Sequence, residues 1–392
     1  MKQLTPVVAP DAFLPSDAAW MVRTDLHQTR MLGYTPFNLD AVTTTMLGVL
    51  GQRPTVRHVS GVTDDILSFL EDAGLVLQED IRRYETGVEA EAIADQLVAD
   101  GWRLFWPYPL RAGRFDDAAH VVAPDLWERL NDKVLLPQIV PEHALAPRQV
   151  VDAAELDGCA QPPLYVKAGG GGATGWGYAV HYCPDAEAVQ AAGASLVAKG
   201  VETVIVEAAL DVTTCWCVNL SLTASGVTYI GAAEQLFEAP ARQTGSIIDP
   251  LNALPQAGVD LALTVGETAR ALGFRGPCGL DIGKLTDGRL IVFDPNFRFN
   301  ASTLQCMLHD AASERSGLPV SVSFAAKSTL PVKEMLGRAR RAVEDGWFVP
   351  NRVIDAMLLA AADSANYMSG FILAENREQA AAKSAKLEAM IA

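Results

Sequence analysis

In the first third of the chain, apolar residues recur at helical intervals in two stretches, and a strand-like run follows them. The two stretches are Asp64–Leu77 and Glu89–Ala99, and the apolar run Trp102–Trp106 ends before a proline. Helices that alternate with strands are typical of a small open α/β unit with a parallel sheet. We therefore predict an α/β domain over residues 1–125.

A helix from about Asp125 and the prolines Pro141 and Pro147 separate this domain from a region in which strands predominate. Two helices interrupt the strands, at Asp185–Lys199 and Gly258–Leu272. The predicted strands are Leu164–Ala168, Gly177–Tyr182, Val204–Glu207, Cys215–Thr223, Val227–Ala233, Gly279–Leu285 and Arg289–Asp294.

The tail after about Lys333 is predicted to be helical and to end in a strand, Gly370–Ala374, and a helix, Arg377–Ile391. These changes of pattern divide the rest of the chain into two further predicted domains, residues 126–210 and 211–392.

Charge and cysteine content exclude several classes of protein. The net charge of −16 argues against nucleic acid as a partner, because binding a phosphate backbone requires clustered Lys and Arg. The six cysteines have no framework spacing, and Cys215 and Cys217 are predicted to be buried strand thiols. We find neither a signal peptide nor a long apolar run, so we expect a soluble, cytoplasmic protein without a membrane partner.

The stretch from Lys167 to Gly177 is unusually rich in glycine. Gly170, Gly172 and Gly175 match the spacing of a dinucleotide fingerprint, but a strand-like run follows them where that motif needs a helix. A Walker A loop is excluded because no Gly-Lys-Ser/Thr ends the stretch. We predict a flap between two antiparallel strands, whose backbone N–H groups bind phosphate oxygens.

A second cluster lies on a predicted hairpin. Its turn is Asp287-Gly288, which brings Asp281 on one strand close to Asp294 and Asn296 at the end of the other. Two carboxylates and an amide are hard oxygen ligands that suit Mg²⁺ when substrate phosphates complete its coordination. Arg298 adds a planar set of donors suited to a phosphoryl group in transfer.

The order of a strand with a lysine, a glycine-rich flap, a hinge strand and an acidic hairpin resembles the ATP-grasp superfamily. The spacing of Asp281, Asp294 and Asn296 is similar to the metal motif of D-alanine–D-alanine ligases, and Asn296-x-Arg298 resembles that of biotin carboxylase and carbamoyl phosphate synthetase. The layout of the whole chain resembles amino-acid and peptide ligases of natural-product pathways, including the pheganomycin type. The resemblance implies an α/β fold with an open N-terminal domain followed by two α+β subdomains that enclose ATP.

This resemblance also assigns expected roles by position in the motif. Arg298, Lys167 and Arg242 are the expected catalytic residues, and Gln235 is placed among substrate-facing groups. Mg²⁺, with Mn²⁺ as an alternative, is expected at Asp281, Asp294 and Asn296, although many members have Glu at the position of Asp294. The expected ATP-binding residues are Lys133, Lys167, Gly170, Gly171, Gly172, Glu207, Ala208, Leu210 and Thr214. Thr214 departs from the acid that the family often places there to bind ribose.

The implied function is an ATP-dependent ligase that activates a small-molecule carboxylate as an acyl phosphate and couples it to an amine. A homodimer is expected from the same resemblance. Two alternatives stay open, a carboxylating or carbamoylating enzyme and a non-catalytic nucleotide-binding protein, whereas the strand after the glycine loop opposes a nicotinamide dehydrogenase. Substrate identity has no readable motif; Arg23, Arg30 and Arg57 are candidates for binding a carboxylate but are not assigned to the site.

Overall fold

The computed structural model describes residues 2–23, 36–108, 113–156, 161–170, 180–359 and 365–392. The N-terminal elements are α1 (Pro10–Phe13), β1 (Ala18–Met21), α2 (Pro36–Ala41), β2 (Pro54–His58), α3 (Asp64–Asp72), β3 (Asp80–Tyr84), α4 (Gly87–Ala99) and β4 (Arg103–Phe105). The strands form one sheet in the order β3-β2-β1-β4, and every pairing is parallel. This confirms the predicted open α/β unit.

Local sequence explains where the two amphipathic helices of this domain begin and end. Thr86 and Glu89 form a capping box at the start of α4, and Thr63 caps α3. Helix α3 is shorter than the predicted Asp64–Leu77, because Gly74 has a φ of +101° and a left-handed residue of this kind ends a helix.

The middle of the chain forms an antiparallel sheet in the order β5-β8-β6-β7, with one helix packed against it. Its elements are α5 (Pro124–Asn131), β5 (Arg148–Asp152), β6 (Leu164–Ala168), β7 (Val180–Cys183), α6 (Ala186–Ala198) and β8 (Thr203–Ala208). Helix α5 ends at Asn131, so Lys133 lies beyond its end. Lys133 instead begins a 3₁₀ helix, Lys133–Gln138, because Asp132 Oδ1 accepts a hydrogen bond from Val134 N at 2.9 Å and caps the new turn.

The remaining strands form an eight-stranded sheet in the order β13-β12-β9-β10-β11-β14-β16-β15. Its strands and the accompanying helices are β9 (Val212–Thr223), β10 (Gly226–Ala239), β11 (Arg242–Ile248), α7 (Gln256–Ala271), β12 (Gly276–Leu285), β13 (Leu290–Asn296), α8 (Thr303–Ser316), β14 (Val320–Ser328), α9 (Val332–Glu344), β15 (Phe348–Ile354), β16 (Asn366–Ala374) and α10 (Arg377–Ile391). The predicted strands and the final helix are present, but β11, β14 and β15 had not been predicted. The tail strand β16 therefore joins the same sheet as the acidic hairpin.

The two faces of this sheet are covered by different helices. Helix α7 packs on one face, where Gly266 leaves room for Leu220 and Val227, and α8 packs on the other, next to Asn219 and Gly231. Side chains of the central strands between these helices form the main core. In the described part of the chain, we find no helix with the length and apolar character that a membrane crossing requires.

Candidate active site

The predicted acidic hairpin is present, with β12 and β13 joined by a tight turn. Gly288 has a φ of +88° in this turn, which suits glycine, and a β-bulge between Asp281 and Ile282 shifts the register of the strands by one residue. Asp281 pairs directly with Asp294, and Gly279 pairs with Asn296. Because paired residues on antiparallel strands direct their side chains to the same face, the two carboxylates and the amide share one surface.

The two carboxylates of the hairpin repel each other. Burial, and then the neighbouring charge of Asp294, raise the pKa of Asp281 to about 7. Gln235, on β10, donates a hydrogen bond from Nε2 to Asp281 Oδ1 at 3.1 Å. A cation placed between these oxygens would neutralise the repulsion.

Two lysines from the middle domain approach this hairpin. Lys133 is buried and its Nζ forms an ion pair with Asp294 Oδ1. Lys167, on β6, donates from Nζ to Glu207 Oε1 at 2.6 Å and to the carbonyl oxygen of Phe293 at 3.2 Å. Since Phe293 immediately precedes Asp294, the strand before the glycine-rich loop and the acidic hairpin end lie on opposite walls of one cleft.

Asp132 and Arg148 also belong to this cleft, although the sequence analysis did not identify them. Arg148, at the start of β5, donates from Nη2 to the carbonyl oxygen of Lys133 at 2.5 Å. Burial lowers the pKa of Arg148, and the charges of Glu207, Asp132 and Asp294 act in the opposite direction. No motif marks either residue; Asp132 has only the weak signal of a polar residue before a helical turn.

The first described part of the flap is attached to the same turn. Gly170 N donates to Asp132 Oδ1 at 3.1 Å, and its φ of +84° is one that glycine readily adopts. Asp132 therefore connects the start of the flap to the turn that carries Lys133. Gly171 and Gly172, which were predicted to bind phosphate, lie outside the described residues.

The predicted hinge lies beside the cleft. Glu207 is buried and binds Lys167, and Ala208 N donates to the carbonyl oxygen of Pro147 at 3.0 Å. Leu210 is partly buried against Leu285, Ile291 and other apolar residues below the hairpin. The hinge backbone is thus held between the linker and the acidic hairpin.

Arg298 follows the hairpin in the segment that leads into α8. Its Nη2 donates to Asn296 Oδ1 at 2.8 Å, and its guanidinium lies 5.6 Å from the ring centroid of Tyr108. Tyr108 comes from the segment after β4, so the N-terminal domain reaches the same region. A small cavity there is lined by Tyr108, Trp127, Asn131, Lys133, Pro295, Asn296 and Arg298.

Two predicted site residues are not brought into this cluster. Asp281 pairs with Cys217 on β9, and because side chains alternate along a strand, Thr214 lies on the opposite face of the sheet. Arg242 lies at the turn between β10 and β11, where its side chain is 76% exposed and pairs with Glu238 at 2.5 Å. The structure therefore adds no support for ribose binding by Thr214 or for catalysis by Arg242.

The donor set is compatible with a divalent cation that shares its coordination with a substrate. No group of three or more His, Cys, Asp or Glu residues within the described ranges is arranged to hold a metal. Asp281, Asp294 and Asn296 provide two carboxylates and one amide, so a cation there needs further oxygens, which phosphates supply.

Two family models match successive parts of the chain. The model described as the L-aspartate–L-methionine ligase N-terminal domain matches residues 10–128, and the model described as L-aspartate–L-methionine ligase, ATP grasp, matches residues 146–296. Together the two models cover more than half of the chain. A search of curated protein sequences gave no match.

Several solved structures share the fold. N5-carboxyaminoimidazole synthetase from Staphylococcus aureus, complexed with ADP, superposes with a TM-score of 0.57 at 10% identity over 99% of this chain and 98% of that one. Biotin carboxylase from Campylobacter jejuni gives 0.55 at 11% identity over 93% and 89%. An L-amino acid ligase from Bacillus licheniformis gives 0.51 at 13% identity over 84% and 95%.

At these identities the solved structures establish the ATP-grasp fold, and the two consecutive family models establish the family. The predicted fold class and the predicted class of enzyme are both confirmed. The chain belongs to the L-aspartate–L-methionine ligase family and is an ATP-grasp amino-acid ligase, a carbon–nitrogen ligase that uses ATP.

Proposed function

We propose that this chain couples L-aspartate to L-methionine, the two amino acids in the name of the family, with conversion of ATP to ADP and phosphate. The aspartate supplies the carboxylate that is activated, and the methionine supplies the amine. The observation that carries the proposal is the cleft in which Lys167 contacts Phe293 while Lys133 contacts Asp294. In this proposal the triphosphate of one ATP binds at these two lysines.

The first step is transfer of the γ-phosphoryl group. A carboxylate oxygen of the substrate forms a bond to the γ-phosphorus, the bond to the bridging oxygen breaks, and ADP leaves with that electron pair. Lys133, Lys167 and Arg298 stabilise the negative charge on the phosphates, and they do so by position and charge without covalent chemistry. Mg²⁺, held by Asp281, Asp294 and Asn296, would supply charge neutralisation of the phosphates.

The second step forms the amide. The amine nitrogen attacks the carbonyl carbon of the acyl phosphate, phosphate leaves with the electron pair of the broken carbon–oxygen bond, and the departing phosphate takes up the proton that the nitrogen loses. Because water competes with the amine for this intermediate, the site has to exclude it. We assign this exclusion to the glycine-rich flap, which begins at Gly170 beside Asp132.

The homodimer, the cytoplasmic location, the domain boundaries at residues 125 and 210, and the acceptance of Mn²⁺ remain predictions from the sequence.

Phosphate release from ATP tests the proposed function directly. Purified full-length protein with MgATP should release phosphate when L-aspartate and L-methionine are both present, and mass spectrometry should detect one dipeptide per phosphate. Either amino acid alone should give less than about a tenth of this rate, since acyl transfer needs both substrates. Release that requires bicarbonate would instead indicate a carboxylating enzyme, and no release with any pair of amino acids would indicate a non-catalytic nucleotide-binding protein.

A further inference from the structure

Asn219 is a buried polar residue in the middle of the eight-stranded sheet, with no exposed surface. It pairs with Gly279 on β12, and Gly279 pairs in turn with Asn296 on β13. Asn219 and Asn296 therefore lie in one row across three strands and direct their side chains to the face that carries Asp281. A buried carboxamide needs several partners. Asn219 Nδ2 also contacts the carbonyl oxygen of Cys217 and Cys306 Sγ, whereas its partners Ser302 and Thr303 lead towards Arg298.

The first link joins Asn219 to the start of α8. Thr303 Oγ1 donates a hydrogen bond to Asn219 Oδ1 at 2.7 Å, and Asn219 Nδ2 donates to Ser302 Oγ at 3.1 Å. Thr303 Oγ1 also accepts a hydrogen bond from Asn300 N at 2.7 Å. The Thr303 hydroxyl thus connects Asn219 in the sheet to the backbone of Asn300.

The second link joins Asn300 to Arg298. Arg298 Nη1 donates to Asn300 Oδ1 at 3.3 Å, and Asn300 Nδ2 donates to the carbonyl oxygen of Arg298 at 3.2 Å. Arg298 Nη2 donates to Asn296 Oδ1 at 2.8 Å, so the guanidinium is held between two carboxamides. Because the donors of the guanidinium lie in one plane, these hydrogen bonds fix its orientation, which they would not do for the ammonium of a lysine.

Gly279 provides the space in which this network fits. A Cβ atom at Gly279 would lie 2.0 Å from Asn300 Nδ2 and 2.8 Å from Asn300 Cγ. Any side chain at this position would force Asn300 away from its place beside Arg298. Gly279 and Asn219 therefore both determine the position of Asn300.

We infer that Asn219, through Thr303 and Asn300, is a positioning residue that fixes the guanidinium of Arg298 against the phosphoryl group in transfer. This inference rests on the proposed function, which places Arg298 at that group. Asn219 and Thr303 themselves touch no substrate. Their contribution is to hold Arg298 in a reactive orientation before ATP binds.

Thr303→Val tests the first link, because valine has almost the same shape and lacks the hydroxyl. We expect kcat for phosphate release with MgATP, L-aspartate and L-methionine to fall about 10- to 100-fold, the effect of a small misplacement of a catalytic group, with KM for ATP changed less than about threefold. Thr303→Ser keeps the hydroxyl and should retain most of the activity. Thr264→Val is the matched control, because Thr264 lies on α7 with its hydroxyl bonded to its own helix, and it should leave kcat unchanged.

A double-mutant cycle with Arg298→Lys separates positioning from a general loss of stability. If Thr303 acts through Arg298, adding Thr303→Val to Arg298→Lys should lower kcat less than about twofold further, while its effect on thermal stability stays the same in both backgrounds. An equal loss of kcat in both backgrounds, or no loss in Thr303→Val alone, would overturn the inference and leave the proposed function intact. If Arg298→Lys itself ligates like wild type, both the role of Arg298 and the inference are wrong.

Gly279→Ala provides a second and independent variant should Thr303→Val fold poorly. It displaces Asn300 without removing any hydrogen-bonding group, so it should reproduce the loss of kcat and the lack of further effect in the Arg298→Lys background. Wild-type kcat in correctly folded Gly279→Ala protein would contradict the inference.

Discussion

Arg57 with Glu79 in the N-terminal domain and Lys133 with Asp294 at the acidic hairpin are two ion pairs of very different construction. Arg57 and Glu79 have side chains with no exposed surface. The Arg57 guanidinium also donates to the carbonyl oxygens of Thr43 and Thr45, at 2.7 and 2.8 Å. Every part of this pair is fixed by protein groups, so there is no place for a substrate.

The Lys133 pair lies in the cleft, and 25% of the Asp294 side chain is exposed. A lysine ammonium has three N–H donors and no fixed plane, so it can bind a phosphate oxygen while it remains near a carboxylate. A buried ion pair therefore indicates a functional site only where its charged groups can also bind a substrate. Arg57, a candidate for binding a carboxylate in the sequence, is a structural residue.

The largest expected effect is loss of turnover in variants of the cleft. Asp281→Ala and Arg298→Ala should each lower kcat about a thousandfold or more, because each removes a charge that the proposed phosphoryl transfer uses, and the fold should be retained. Asp287→Asn on the same hairpin is the control, since Asn-Gly also suits the turn, and it should ligate normally. Steady-state phosphate release and circular dichroism measure both properties; normal ligation by Asp281→Ala and Arg298→Ala would refute the site.

The buried pair of Arg57 and Glu79 should affect stability rather than turnover. Arg57→Met leaves the Glu79 carboxylate buried without its partner, so we expect a loss of about 3–5 kcal/mol in the free energy of unfolding, measured in urea. Adding Glu79→Leu should restore part of that loss. Arg82→Met, on an exposed ion pair of β3, should change stability by less than about 1 kcal/mol. If Arg57→Met is as stable as wild type, the contrast between the two pairs is wrong.

Lys167 should affect nucleotide binding more than folding. Lys167→Gln removes the proposed charge-assisted contact to phosphate, so we expect KM for ATP to rise about 10- to 100-fold. Because the variant also leaves Glu207 buried, the double variant with Glu207→Gln should recover stability without recovering KM. Lys199→Gln, an exposed lysine after α6, is the control. Recovery of KM in the double variant would show that Lys167 serves only to neutralise Glu207.

The smallest expected effect concerns pH. The pKa of Asp281 is about 7 in the folded protein against an ordinary value of 3.8, so the folded state holds this proton more tightly than the unfolded state. The resulting stabilisation is complete at pH values below the ordinary pKa and is lost as the pH rises towards 7.

The Asp281→Asn variant stays uncharged at position 281 over this whole pH range. Without nucleotide or divalent cation, its Tm relative to wild type should therefore rise by a few degrees, on the order of 2–4 °C, between about pH 4 and 7.5. Glu388→Gln, an exposed change on α10, should show no such trend. A constant difference between Asp281→Asn and wild type would show that the pKa of Asp281 is not raised in the folded protein.

The parts of the fold and site that could be predicted depend on short-range sequence. The Asp287-Gly288 turn was sufficient to predict the hairpin and the approach of its strand ends. The exact pairing of Asp281 with Asp294 depends on a β-bulge between Asp281 and Ile282, which no local pattern records. The helix Arg377–Ile391 also has the predicted bounds. Strand β14 was missed because its pairing partner is far away in the chain, as the pairing of Val320 with Ala374 shows. Strand β11 was missed although its pairing is local, since Ala239 on β10 pairs with Arg242.

The limits of prediction at the site have the same origin. Arg148 and Asp132 enter the cleft only because β5 and the turn before Lys133 pack beside the hairpin, and no local pattern records that packing. Thr214 was placed by counting along the motif, but alternation along β9 directs it to the other face from Asp281. Chemistry could be inferred from residue type, whereas the direction of a side chain required the pairing of strands.

The order of strands in the large sheet has a consequence for assembly. Its two outer strands, β13 and β15, each contain a proline, Pro295 and Pro350, and proline has no N–H to offer a further strand. Neither edge strand can form an uninterrupted ladder with a strand of another chain, so edge-to-edge association of sheets is disfavoured at both edges. At β13 the same proline stands between Asp294 and Asn296, so the interruption of this edge lies among the proposed cation ligands.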